Sequence, residues 1–113
     1  MTRIYKLLSR AEWDHALALG RFEGSEVDLA DGYIHFSTGA QAPETARRYF
    51  AGRDDLMLVA VEAEPLGEAL KWEPSRGGDL FPHLYAPLEV ASAVEVRPLG
   101  LGPDGAPDLG DLT

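Results

Sequence analysis

The chain has 113 residues, 45% of them hydrophobic, no cysteine, and a formal net charge of −9 from 19 acidic against 10 basic side chains. This length suits one domain with a sizeable core, and the composition is that of a globular chain rather than a disordered one. The lack of cysteine excludes disulfides, thiolate zinc sites and a cysteine nucleophile. The acidic balance steers nucleic acid away and favours a small ligand, a basic partner or a protein surface. No apolar run has signal-peptide or membrane-spanning length, so a cytoplasmic location is expected.

Residues 4–8 read as a first strand. Ser9-Arg-Ala-Glu12 is a capping-box pattern that predicts a helix running towards Gly20, with Trp13, Ala16 and Leu17 on its inner face and His15 exposed. Ser25 caps a short helical turn through Asp28 and Leu29, and Asp31-Gly32 turns the chain into a strand over residues 33–37. Thr38-Gly-Ala-Gln41 is a second capping-box pattern. It predicts a helix to about Phe50 with Ala42, Ala46, Tyr49 and Phe50 inward, and Arg47 and Arg48 outward. Glu44 stands four residues before Arg48, the spacing of a surface ion pair. The continuous apolar run at residues 56–61 predicts a central strand covered on both faces. Residues 70–73 and 80–85 are further strands joined by the Ser75-Arg-Gly-Gly78 loop, and residues 93–99 form the last. Helices early and strands late imply α+β, with a single domain over residues 1–99. Residues 100–113 are expected to form a turn-rich, loosely packed tail.

Two histidines lie within apolar, strand-like stretches. Alternation places Tyr33, His35 and Ser37 on one strand face, and Phe81, His83 and Tyr85 on another. A histidine on such a face can hydrogen-bond a ribose hydroxyl or a phosphate, or move a proton near neutral pH. The alternative for His35 is burial against Tyr33 with its nitrogens satisfied by backbone. Ser37 shares the His35 face and can reach a ligand. Thr38 serves first as a helix cap, and that helix amino terminus favours a phosphate if it opens to the same cleft. Arg76 followed by two glycines can bring a guanidinium to a phosphate, and the alternative is a tight turn with Arg76 paired to Glu73 or Asp79. His83 and Tyr85 can stack on a heteroaromatic ring, or else the strand bearing Pro82 is an edge whose aromatics simply pack. Trp13 and Trp72 read as core. His35, His83 and Glu73 or Asp79 would make a two-histidine, one-carboxylate metal set, but no metal-type histidine spacing accompanies them, and no metal ligand is assigned.

The stretches Asp28-Leu-Ala-Asp-Gly-Tyr-Ile-His-Phe-Ser-Thr38, Leu70-Lys-Trp-Glu73, Ser75-Arg-Gly-Gly78 and Phe81-Pro-His-Leu-Tyr85 together resemble the bacterial family known as domain of unknown function 952. The order of elements is also similar, remotely, to the ADP-ribosyltransferase superfamily, and within it to the enzymes that remove a tRNA 2′-phosphate with NAD. Ile34-His35-Phe36-Ser37, then Glu44-Thr-Ala-Arg47, then the apolar strand carry that likeness. It implies a split β-sheet with two to three helices, and NAD or a related nucleotide bound between the two sheets. Where the RNA-processing enzymes carry a histidine on the first core strand, this chain has Tyr5-Lys6, and the transferase glutamate has no secure counterpart beyond Glu73 or Glu89.

The sequence therefore predicts a nucleotide cleft with His35 as the catalytic candidate and Tyr33, Ser37, Thr38, Arg76, His83 and Tyr85 as cofactor-binding residues. Transferase or NAD-cleaving chemistry is one expectation. A non-catalytic regulatory or interaction module on the same fold is a second, and a metal-dependent small-molecule enzyme a third.

Overall fold

A computed structural model describes residues 2–112. The elements, in chain order, are β1 (Arg3–Ser9), α1 (Arg10–Leu19), β2 (Arg21–Phe22), α2 (Glu26–Asp31), β3 (Ile34–His35), β4 (Ser37–Thr38), α3 (Ala42–Tyr49), β5 (Leu56–Glu62), β6 (Leu70–Pro74), β7 (Leu80–Leu84), β8 (Leu88–Glu89) and β9 (Ala93–Pro98), with short 3-10 turns at Glu64–Ala69, Arg76–Gly78 and Val90–Ser92. The domain is α+β, and every strand pairing is antiparallel.

The four-stranded sheet has the order β4-β1-β5-β9, and a three-stranded sheet has the order β3-β7-β6. A two-stranded ribbon, β2-β8, completes the set. β5 lies inside the larger sheet and its residues 56–61 are all buried, as expected for an apolar run covered on both faces. Strand alternation then divides the core in two. Ile4 and Leu8 of β1 join Met57, Val59 and Val61 of β5 beneath Trp13 and Ala16 of α1, where Ile34, Phe36 and Leu84 of the smaller sheet also pack. Tyr5 and Leu7, with Leu56, Leu58 and Ala60, face the other way against Ala42 and Ala46 of α3.

Local chemistry sets the helix ends. The Ser9 and Glu12 side chains cap reciprocally, at 2.8 and 3.0 Å, and Gly20 closes α1 in the left-handed region with φ 91°. Ser25 and Asp28 repeat the capping box on α2.

Several expectations change. Residues 33–37 are not one strand. The chain leaves the smaller sheet after His35 and enters the larger one at Ser37, while the Phe36 amide donates to the Pro82 carbonyl at 3.0 Å. Burial of Phe36 at this crossing lets one short segment belong to both sheets. Thr38 and Gln41 do exchange the predicted capping hydrogen bonds, but one turn early: α3 starts at Ala42 with Gln41 as its cap residue and a proline in its first turn, which fits a helix start there. α3 ends at Tyr49: Ala42 and Ala46 are buried, and Phe50 packs half-buried on the same core as expected, but Tyr49 is exposed, as is Leu17 on α1. Trp72 is exposed on β6, an edge strand, whereas Trp13 is core.

The strand bearing Pro82 is the middle of its sheet rather than an edge. Residues 100–112 are turn-rich but packed. Ala106 and Leu109 are buried, Leu109 sits against the Tyr5–Leu58 side of the core, and the Leu109 carbonyl accepts from Arg97. α3 is too short to cover that face alone, and the tail completes it.

Candidate functional site

β1 pairs with β4 only at Ile4 and Tyr5. Beyond Tyr5 that edge of the larger sheet has no strand beside it, and a cleft of about 750 Å³ opens there. Its walls come from β1, α2, α3 and β7, so both sheets contribute. The volume lies within the roughly 300–1,000 Å³ of small-molecule sites.

One wall is built on Asp28. Its side chain is 1% exposed, and Lys6 of β1 meets it with Nζ at 2.9 and 3.0 Å from the two carboxylate oxygens. The Ser25 amide donates at 2.9 Å and the His35 amide at 3.1 Å, and His35 Nδ1 lies 2.6 Å away. Burial pushes the Asp28 carboxyl up, but the His35 hydrogen bond and the Lys6 charge outweigh it and hold Asp28 well below the usual carboxylate range. Burial draws the Lys6 ammonium down, with Asp28 opposing that shift. The other ring nitrogen of His35 lies 2.9 Å from Asp31. Both nitrogens of His35 are thus committed to carboxylates.

Beside it stands a second histidine. His35 and His83 are direct cross-strand partners on β3 and β7, with ring centroids 5.6 Å apart. Tyr33 lies against both, stacked at 4.1 Å on His83 and tilted at 4.6 Å from His35. Burial and the nearby Asp31 and Glu73 charges raise the Tyr33 phenol. His83 is buried and its Nδ1 lies 2.8 Å from Glu73 of β6. The Tyr85 hydroxyl donates to the same Glu73 oxygen at 2.8 Å. These two bonds, His83 first, lower the Glu73 carboxyl, and the reciprocal bond raises the Tyr85 phenol.

The cleft also holds a cation. Arg76 projects from its 3-10 turn over the Phe81 ring, 5.0 Å from the centroid, and donates to Thr45 at 3.3 Å. Thr45 in turn bonds Ser37 at 3.0 Å. Gly77 and Gly78, with φ 70° and 83°, supply the backbone that this turn needs. Arg76 does not pair with Glu73 or Asp79, and among the described residues it has no carboxylate partner. The other cleft cations differ: Lys6 is neutralised by Asp28, and Arg53 by Asp55 at 2.9 Å.

The structure therefore brings Tyr33, His35, Ser37, Arg76 and His83 to one cleft, while Tyr85 does not line it and touches Tyr33 and Glu73. Thr38 does not line it, and its hydroxyl is spent on the Gln41 turn. Glu89 lies exposed on β8, away from the cleft. Among the described residues no group of three or more His, Asp or Glu side chains is arranged to hold a metal ion. Sequence reasoning missed Lys6, Asp28, Asp31 and Thr45. Lys6 had a signal: it stands between Ile4 and Leu8 on the inward face of an apolar strand, where a lysine needs a buried carboxylate.

The fold and site define an antiparallel α+β domain with a polar cleft at the junction of two small sheets. The family described as "Protein of unknown function (DUF952)" matches residues 7–96, and the chain belongs to it. The crystal structure of protein CC0527 from Caulobacter crescentus is similar at 64% identity, covering 96% of this chain and 95% of that one with a TM-score of 0.93. A crystal structure of a double mutant of CC0527 matches at 62% identity and TM-score 0.93, over 96% of this chain and 95% of that one. The solution structure of CC0527 matches at 64% identity and TM-score 0.88, over 97% and 95%. No curated protein matches the chain.

Proposed function

We propose that the cleft binds NAD or a related nucleotide, with transferase or NAD-cleaving chemistry as its activity. The observation that carries this reading is the polarity of the cleft. Arg76, without a carboxylate partner among the described residues and joined to the Thr45 hydroxyl, which in turn bonds Ser37, suits a phosphate. Tyr33 and Asp31 also line the cleft, and an aromatic ring beside a carboxylate suits a ring with positive charge and ribose hydroxyls. A dinucleotide that is anionic at its pyrophosphate and cationic at its nicotinamide matches both. Two small sheets that share one crossing segment also suit the split sheet expected of the ADP-ribosyltransferase likeness.

A second reading, a non-catalytic sensor on the same fold, is favoured by the Lys6–Asp28–His35 cluster. The lysine at the first-strand position is neutralised, and His35 has no ring nitrogen left over.

Titration of isotope-labelled protein with NAD, ADP-ribose and nicotinamide tests both readings. Amide shifts are expected at residues 35–41 and 75–85, and Arg76→Gln should weaken NAD and ADP-ribose but not nicotinamide. Absence of any shift at millimolar ligand overturns the nucleotide site. Binding without nicotinamide release over hours favours the sensor.

A further inference from the structure

We infer that His83, oriented by Glu73, is the group that takes up a proton in this cleft, and that its substrate is the hydroxyl of an acceptor, water or an alcohol, attacking a bound N-ribosyl nucleotide. The inference rests on the nucleotide reading of the cleft and moves the proton-transfer role from His35 to His83.

The two histidines are cross-strand neighbours with opposite hydrogen-bond states. His35 points both ring nitrogens at carboxylates, Asp28 at 2.6 Å and Asp31 at 2.9 Å. His83 points one, Nδ1, at Glu73 at 2.8 Å, and among the described residues its Nε2 has no partner. An ionised carboxylate only accepts hydrogen bonds, so Nδ1 carries the hydrogen and Nε2 of the neutral ring holds the lone pair. A carboxylate that holds one imidazole nitrogen in the donor state and leaves the other as acceptor is the usual arrangement of a general base. Tyr33 stacks on the ring, and the second hydrogen bond to Glu73, from Tyr85, fixes the carboxylate. The ring therefore has little freedom to turn.

His83 also faces the part of the cleft suited to a reacting ligand. Phe81, two residues earlier on the same strand face, lies under Arg76, so the base and a guanidinium without a carboxylate partner among the described residues flank one aromatic residue. In the step assigned to it, His83 accepts through Nε2 the proton of the acceptor hydroxyl as that oxygen bonds to the anomeric ribosyl carbon. The bond from that carbon to the departing base breaks, and its electron pair leaves with the base. The proton rests on His83 and passes to solvent. Glu73 is a positioning residue, because it acts only through the imidazole.

Two measurements on the full chain test this. Two-bond proton–nitrogen correlation spectra of the labelled protein read the histidine tautomers without any ligand. The expected pattern is a protonated Nδ1 and a bare Nε2 for His83, kept in Glu73→Gln, whose amide oxygen still accepts, and lost to a tautomer mixture in Glu73→Ala. A proton on Nε2 in the neutral wild-type ring overturns the inference. The second measurement follows nicotinamide release from NAD. His83→Gln should lower it by about 100-fold or more while NAD still shifts the 75–85 amides. Release that persists in a folded His83→Gln overturns the inference, and so does wild-type protein that binds NAD and releases nothing, which leaves the nucleotide site standing. NAD that fails to bind at all removes the nucleotide site and this inference with it.

Discussion

Replacing Asp28 by Asn tests the wall of the cleft most directly. Asp28 is the shared acceptor for the Lys6 ammonium, the His35 ring and two backbone amides, with the Lys6 and Asp28 side chains 8% and 1% exposed. Asn keeps the shape and one acceptor oxygen but strands the Lys6 charge in a site away from water. Removing one partner of a buried ion pair costs about 3–5 kcal/mol. That is a large share of the 5–15 kcal/mol typical of a domain, and at this size it lowers Tm by ~15–25 °C. Lys6→Met in the Asp28→Asn background should recover at least about 2 kcal/mol, since it removes the stranded ammonium. Urea unfolding followed by tryptophan fluorescence measures all four members of the cycle, with the denaturant slope as the check that the unfolded state is unchanged. A loss below about 1 kcal/mol for Asp28→Asn, or Lys6→Met costing the same in both backgrounds, would refute the buried pair as a coupled unit.

Two further outcomes follow from the same structure. The Asp28 carboxyl lies well below its ordinary value of 3.8 in the folded chain, so on acidification the unfolded chain takes up that proton first. The stability it contributes is complete above about pH 5 and is lost as pH falls further, by up to about 1.4 kcal/mol per pH unit from this group; acid unfolding of Asp28→Asn should lack that component. In the tail, Leu109→Ala should cost roughly 2 kcal/mol, because Leu109 is buried against the Leu7–Leu58 side of the sheet; thermal melts unchanged by that substitution would mean that the tail does not close the core.

Most of the architecture was readable from periodicity and caps. The Ser9–Glu12 box, the terminating Gly20 and the unbroken apolar run at residues 56–61 each carry their own local cause, and each behaves as that cause predicts. The tail was misread because turn-rich composition says how a segment bends and nothing of which bare face awaits it. Pro82 was similarly ambiguous. Its missing N–H suggested an edge, yet its carbonyl serves the Phe36 amide from the far side.

The site divides along the same line. By itself the sequence determined that His35, Ser37 and His83 stand in short strands and Arg76 in a glycine turn, because strand patterning and glycine conformations are local properties. Only the tertiary structure decided what each of them touches. Lys6 and Asp28 are 22 residues apart, Glu73 and His83 are 10 apart, and Thr45 and Arg76 are 31 apart. A hydrogen-bond partner at such a separation follows from which strands pair and in what register, and among the described residues it is that partner which leaves one histidine with a free nitrogen and the other with none.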